Sequence, residues 1–371
     1  MEISWLKNIV EKIKVTFDFK KVNSPSLKLE NKAREVTNQI GQVNIQHGLT
    51  YSEAKDLVSS VVDQKLIAFK DEAESTYIQR TDEFKKLLTE KIKNLPEAEI
   101  SKLREPDTQL TLMEAAKISG RKQSEELRNL LANLVVSRIK NDNSGKEELK
   151  NIVYNEAIST INKLTIDQLK IITICYLLRY TSYGGIISWD TFKNYLNTHI
   201  KPFLGFKNTN AEFQHIEYAG CGSIGIGGWN ILNIYRQQYS FLFFNLVEKN
   251  QIDELVLSDQ IKKEIIALDT KEDKYFIRFK NKTELENYLK EKKIDDEITK
   301  KLVPIYESHM KNNEEVKKKI SDETEIGKEL LDLWEKSNLK HLSLTSVGIA
   351  IGASYFEQVT GEKIDIGIWI N

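Results

Sequence analysis

The chain has 371 residues, a length that predicts two or three packed units and exceeds a single compact core. Its 54 Lys and Arg residues balance 55 Asp and Glu residues, and the formal net charge of -1 excludes a protein that holds nucleic acid or an anionic membrane by bulk charge alone. With only 5 Pro and 17 Gly, and 29% charged residues, the composition predicts long helices and excludes collagen-like or disordered classes. Two Cys cannot form a disulfide framework, so we expect a reducing compartment.

The first predicted unit, residues 1–48, contains an amphipathic helix over 1–14, a short strand over 15–19 and a polar connector. Lysines interrupt the apolar residues of the helix, and the segment has neither the unbroken apolar stretch nor the cleavage site of a signal peptide. We therefore expect a cytoplasmic protein. We also expect the helix to pack on the protein itself and not on a membrane surface.

The second predicted unit, residues 49–158, begins with a helix of about 45 residues whose apolar side chains recur at steps of three or four until Pro96. Such a helix is longer than a small domain, so it must pack along several neighbours or pair with another copy. Helices over 107–119 and 124–140 follow, with a break at Gly120.

The third and fourth predicted units, residues 159–250 and 251–371, differ sharply in charge. Residues 160–250 contain 8 basic and 5 acidic residues, whereas 251–340 contain 19 basic and 22 acidic ones. Because ionised groups are costly inside proteins, we expect the first stretch to form an aromatic-rich helical core and the second to form solvated helices over it. Thr165 with Gln168 has the pattern of a capping box at a helix start, Ser188 is a candidate cap for the next helix, and Thr283 with Glu286 repeats the capping pattern. Short β elements are expected near 15–19, 39–46, 224–228, 275–279 and 364–370.

A glycine-rich loop, residues 220–228, satisfies the letters G-x-G-x-x-G of dinucleotide enzymes. No strand–helix–strand unit surrounds it and no ribose-binding carboxylate follows about 20 residues later, so a structural turn is the favoured interpretation. No His pair has metal-ligand spacing, and we expect neither catalytic residues nor a metal nor a cofactor. The residues around this loop that remain candidates for lining a pocket are His199, His215, Gly220, Cys221, Gly222, Gly225 and Arg236.

The segment Gln39–Gln46 is β-prone and resembles the core of the RIP homotypic interaction motif and related bacterial amyloid-signalling motifs. Amide side chains in such motifs stack in register along a cross-β assembly, so the resemblance implies self-association. Asn38 stands where those motifs carry a β-branched residue. The residues concerned are Gln39, Ile40, Gly41, Val43 and Ile45.

Near the end of the chain, Leu344 and Thr345 are followed by Gly348 and by a helix-like stretch. This pattern resembles the closing strand-to-helix step of many bacterial winged-helix proteins, in which the Thr caps the helix. The locally basic, aromatic centre adds side chains on which nucleic-acid bases could stack. These features support an alternative function as a nucleic-acid-binding protein.

Many short segments together resemble an uncharacterised family of helical bacterial proteins that is known mainly from genome sequences. More loosely, the general plan is similar to that of abortive-infection α proteins, which are helical and linked with phage defence. Neither family brings catalytic residues, so the resemblance implies a fold and not an activity. The matching segments are 47–54, 105–107, 130–138, 178–181, 216–224, 344–348 and 364–370.

The sequence thus predicts a mainly α protein, a multi-helix bundle with a few short β elements and a winged-helix-like C-terminal part. Our first functional hypothesis is a non-enzymatic bacterial interaction or sensor protein, linked to phage defence, that self-associates through its long helix or through Gln39–Gln46. The first alternative is a winged-helix-like nucleic-acid-binding protein. The second is an enzyme with a site at the glycine loop, in which Cys221 would be the nucleophile and His215 its base. We expect a homo-oligomer or a protein partner.

Overall fold

A computed structural model describes residues 51–93, 95–140, 148–269, 272–279 and 281–370. These residues form sixteen α-helices and two antiparallel sheets of two short strands each, which confirms the predicted mainly α class. The predicted unit 1–48, with its strands over 15–19 and 39–46, lies outside the described residues.

The helices are named in chain order. They are α1 Tyr51–Ile92, α2 Glu97–Ser101, α3 Pro106–Arg121, α4 Glu125–Lys140, α5 Glu148–Ile161, α6 Ile166–Arg179, α7 Trp189–Tyr195, α8 Asn210–Tyr218, α9 Ile231–Gln238, α10 Lys249–Asp253, α11 Asp259–Ile265, α12 Lys282–Glu291, α13 Asp296–His309, α14 Asn313–Glu323, α15 Gly327–Lys336 and α16 Ser346–Thr360. The strands are β1 Gly222–Ile224, β2 Ile266–Asp269, β3 Lys274–Ile277 and β4 Leu342–Leu344. Strand β1 pairs with β4, and β2 pairs with β3.

The larger of two hydrophobic cores surrounds α16, which packs against α4, α5 and α6. The C-terminal half of α1 joins this core through Phe84, Leu88 and Ile92. Aromatic rings fill its centre, where the ring of Phe192 lies 5.2 Å from that of Trp189 and 5.2 Å from that of Tyr235 between centroids. We call the part of the molecule built on this core the body.

The smaller core belongs to residues 244–310, which comprise α10 to α13 and the β2–β3 hairpin. The first and last residues of this unit lie side by side, because Phe244 and Met310 form an antiparallel bridge. Backbone hydrogen bonds reinforce the junction, from Asn245 N to His309 O at 2.7 Å and from Lys311 N to Phe243 O at 2.9 Å. The charged stretch after residue 250 is therefore not only a covering layer, since its first part buries apolar side chains of its own.

Local signals in the sequence identify several helix starts correctly. Thr165 caps α6 with the predicted capping box, and Ser188 caps α7 as predicted. The capping signal at Thr283 is wrong, because Asn281 caps α12 instead, its side chain accepting a hydrogen bond from Glu284 N at 2.9 Å.

The predicted helices over 107–119 and 124–140 are confirmed as α3 and α4, and the break between them follows Arg121. Gly120 itself lies in the last turn of α3 and packs against the ring of Tyr77 on α1. The strand expected over 364–370 is wrong, and the chain there forms a 3-10 turn at Ile366–Ile368. Strand β3 confirms the element near 275–279, whereas the element expected over 224–228 overlaps β1 only at Ile224.

Replacing residues 245–309 with two glycines should leave a body that still unfolds cooperatively. The bridged residues Phe244 and Met310 lie within the distance that a two-residue hairpin turn closes. The body then loses few contacts, among them the hydrogen bond from Ser240 Oγ to Phe279 O. Circular dichroism during thermal unfolding measures this outcome.

A matched control removes residues 245–291 only. This cut leaves α13 without its partners in the smaller core, so we expect aggregation or loss of the cooperative transition. If the 245–309 variant behaves like this control, residues 244–310 are not a separable unit.

Candidate interaction surface

The candidate pocket residues have separate surroundings, starting with His199. Its side chain is buried in a π-helical turn, Leu196–Ile200, that continues α7. Nε2 lies 2.9 Å from a carboxylate oxygen of Glu362, and the ring stacks on those of Tyr195 and Phe356. His199 is therefore enclosed by the body and does not face the glycine loop.

Cys221 and His215 do not form a nucleophile and its base. The Cys221 thiol is buried, and burial raises its pKa to about 12, which favours the neutral thiol over the reactive thiolate. His215 Nε2 lies 2.8 Å from the carbonyl oxygen of Lys163. The last candidate, Arg236, donates to Asn233 Oδ1 at 2.8 Å and to Lys311 O at 3.2 Å.

Hydrogen bonds within the protein also hold the backbone of the glycine loop. Gly222 pairs with Leu344 in the β1–β4 sheet, and Gly225 N donates to His341 O at 3.0 Å. Gly220 has a φ of 81°, in the left-handed region that glycine tolerates best. A phosphate-binding loop instead points free N–H groups at its ligand. The loop thus serves as a structural connection that leads from α8 into β1 and on towards α9.

The segment Leu344–Gly348 packs against this loop. Thr345 caps α16 as predicted, its Oγ1 accepting a hydrogen bond from Gly348 N at 3.2 Å. The same hydroxyl donates to Gly220 O at 2.7 Å, and Thr345 N donates to Cys221 O at 3.0 Å. At Gly348 the backbone approaches so closely that a Cβ atom would lie 2.0 Å from Cys221 O.

Other segments that carry the family resemblance also contact one another through hydrogen bonds. Tyr180 OH accepts a hydrogen bond from Leu344 N at 2.8 Å, which ties α6 to β4. Asp107 bonds Arg138 at 2.6 Å and the Asn155 side-chain amide at 3.0 Å, and these two partners lower the pKa of Asp107. These residues stabilise packing between helices, so their presence in the resembling segments reflects the fold.

The first half of α1 lies outside the body. Every residue from 61 to 75 is exposed, and burial begins only near Tyr77. Exposed apolar side chains on this half include Val58 at 62% and both Leu66 and Phe69 at 59%. We call residues 52–75 the free half of α1.

Four of the exposed apolar residues, Val58, Val62, Leu66 and Phe69, lie on one stripe with an 11-residue repeat, whereas Val61 and Ile67 lie off it. Val62, Ala73 and Phe84 lie 11 residues apart, and so do Leu66, Tyr77 and Leu88. Eleven residues make three turns of 3.67 residues, close to the natural helical period, so the stripe runs nearly straight along the helix. The body covers it at Phe84 and Leu88 but leaves it open at Val62 and Leu66.

The stripe leads into a shallow pocket of about 500 Å³, which we call the notch. It lies where α1 leaves the body, beside the C-terminal end of α3. Burial raises the pKa of Tyr77 in the notch, while a hydrogen bond with Thr81 and the positive charge of Arg121 partly offset this shift. The notch is lined by Phe69, Glu72, Ala73, Thr76, Tyr77, Arg80, Gly120 and Arg121.

The remaining predicted surface, Gln39–Gln46, lies outside the described residues, which begin at Tyr51 with α1. Within the described part of the chain, no group of three His, Cys, Asp or Glu side chains is arranged to hold a metal ion. Among the same residues, no helix is both long and apolar enough to span a bilayer.

Comparison with known proteins agrees with the resemblance seen in the sequence. The model of an uncharacterised protein family matches residues 48–370. The chain belongs to this family. No curated protein and no solved structure matches it significantly. The range matched by the family model thus includes both the body and the free half of α1.

Sequence reasoning found the long helix but missed the change in burial along it. The apolar spacing is the same in both halves, so spacing alone cannot show where the body ends. The difference between the two halves comes from the side chains that cover Phe84 and Leu88, and these belong to distant parts of the chain.

We expect Gly348→Ala to lower the free energy of unfolding by at least about 2 kcal/mol, because the added methyl group would overlap the Cys221 carbonyl oxygen. Urea unfolding followed by fluorescence measures the loss. Gly184→Ala is the matched control, since no atom lies within 4 Å of its Cβ position. Equal stability of Gly348→Ala and the unchanged protein would contradict the close contact.

Proposed function

We propose that this protein is a non-enzymatic interaction protein that self-associates through the free half of α1. The observation that carries the proposal is the stripe, which is buried at Phe84 and Leu88 and exposed at Val58, Leu66 and Phe69. An apolar stripe of this length needs a cover, and a second copy of the same stripe supplies one of matching length and chemistry.

The free half is expected to form only a marginally stable helix on its own. An isolated helix of this length is marginal in water, and most helical stability in proteins comes from packing an apolar face. Val58, Val61, Val62 and Ile67 are β-branched and lower the intrinsic helix propensity further. Pairing with a second copy would bury the stripe and stabilise the helix in one step.

The available surface is adequate for a specific dimer. The 24 residues of the free half span about 36 Å at 1.5 Å per residue. Two such helices packed along the stripe would bury on the order of 1,000 Å² in total, near the lower limit of specific protein interfaces. We therefore expect a dimer that dissociates on dilution into the micromolar range.

The wider biological setting stays a prediction that rests on the sequence. A cytoplasmic location follows from the composition, and a role in bacterial defence against phage follows from the looser resemblance to abortive-infection α proteins. A sensor or scaffold that assembles on a signal fits both. Assembly through Gln39–Gln46 is a second route to self-association, which the same experiments separate from the helix.

The nucleic-acid alternative keeps one supporting feature, the strand-to-helix step at Leu344–Gly348 with Thr345 as its cap. Beside it, the guanidinium group of Arg179 lies 4.6 Å from the ring centroid of the half-exposed Trp229. However, β1 pairs with β4 from far along the chain and not with a neighbouring hairpin strand, so the loop after β1 is not a wing. The enzyme alternative loses its proposed nucleophile, since the Cys221 thiol is buried.

Light scattering on the full chain tests the proposal. We expect a dimer mass at tens of micromolar protein, and a dissociation constant raised at least tenfold by Val62→Glu or Leu66→Glu, because each change places a carboxylate in an apolar interface. Ile40→Asp should leave the mass unchanged if the helix alone drives assembly.

The matched control is Val256→Glu, which makes the same change at a valine that is 89% exposed outside the stripe. This variant should dimerise like the unchanged protein. A strict monomer at high concentration would overturn the proposal, and so would equal weakening by Val62→Glu and Val256→Glu.

A further inference from the structure

We infer that two copies pair antiparallel along the free halves of α1, so that the N-terminal end of each helix reaches the notch of the other copy. This inference rests on the proposed self-association and adds its geometry. Three observations carry it: the position of the body on the stripe, the register of the apolar residues and the charges beside them.

The body blocks a parallel arrangement. The same stripe that is open at Val62 and Leu66 is covered by the body at Phe84 and Leu88. A parallel partner helix on this stripe would continue alongside residues 77–92, in space that α3 and α4 of the first copy already occupy. In an antiparallel pair, residues 58–75 of the partner lie alongside residues 60–77, where the body leaves the stripe open.

The apolar residues match in antiparallel register. When the twofold axis lies midway between Leu66 and Phe69, each of these residues faces the other on the partner copy. The same axis sets Val62 against Ala73 and Val58 against Tyr77. Val58 of one copy then fills the notch that Phe69, Ala73 and Tyr77 line on the other.

The charges beside the stripe are complementary in this register. Lys65 and Glu72 are seven residues apart and lie on one flank of the stripe, while Asp63 and Lys70 lie on the other flank. A twofold antiparallel pair brings like flanks together, so Lys65 faces Glu72 and Lys70 faces Asp63 of the partner copy.

A parallel pair would instead bring opposite flanks together and direct Lys65 towards Lys70. All four side chains are exposed. Within the described chain none of them forms an ion pair, so each is available to a partner.

Disulfide trapping in the full-length protein tests the orientation. Two chains, one carrying Val62→Cys and the other Ala73→Cys, are mixed and oxidised. We expect a mixed disulfide, because these positions face each other within the Cα distance that a disulfide spans. Each variant alone should form no disulfide, since its two equivalent positions lie about 16 Å apart along the helices. The native Cys175 and Cys221 are buried and do not compete.

The outcomes separate the orientation from the proposed function. Disulfides within each single variant, without the mixed product, would overturn the antiparallel pairing while self-association stands. A monomer by light scattering in both variants and in the unchanged protein would overturn self-association itself.

A charge exchange supplies a second readout that does not depend on oxidation. Lys65→Glu and Glu72→Lys should each weaken the dimer roughly three- to tenfold, because each change replaces an attraction by a repulsion at both ends of the interface. The variant carrying both changes should regain the affinity of the unchanged protein. If the double variant is weaker than either single variant, Lys65 and Glu72 do not face each other.

Discussion

The apolar stripe on α1 sets the main constraint on this protein, because a continuous apolar surface has to be covered wherever water would otherwise meet it. Over the C-terminal half of α1 the body provides the cover, and Phe84, Leu88 and Ile92 become part of the larger core. Over the free half the stripe continues with the same 11-residue repeat and no cover from the described chain. A surface of the same composition is thus part of the core in one half of the helix and exposed in the other.

The body that holds the C-terminal half of α1 is stabilised by a joint between α16 and the glycine loop. Helix α16 lies at the centre of the larger core, and Thr345 and Gly348 fix its start against the loop that contains Gly220 and Cys221. This joint explains why a glycine pattern typical of nucleotide-binding loops occurs without the rest of that site. The glycines permit a tight turn and the approach of α16, and their backbone groups bond the protein's own chain.

Signals that act within a few residues predicted the structure well. The caps at Thr165, Ser188 and Thr345 each depend on a side chain and a backbone N–H three residues later, and all three formed as expected. Predictions that depend on distant partners failed. The strand expected over 364–370 did not form, and its buried residues Ile366 and Ile370 pack on the larger core without pairing with another strand. For the same reason, the exposure of Val58 to Phe69 could not be foreseen, since it depends on where the body ends.

Hydrogen exchange in residues 58–73, measured as a function of protein concentration, tests self-association through the free half of α1 most directly. The account predicts slow amide exchange at high concentration and fast exchange after dilution below the dissociation constant, because pairing both buries the stripe and holds the helix together. Fast exchange at every concentration would contradict the account. Slow exchange that does not change on dilution would contradict it as well, because the cover would then come from the same chain.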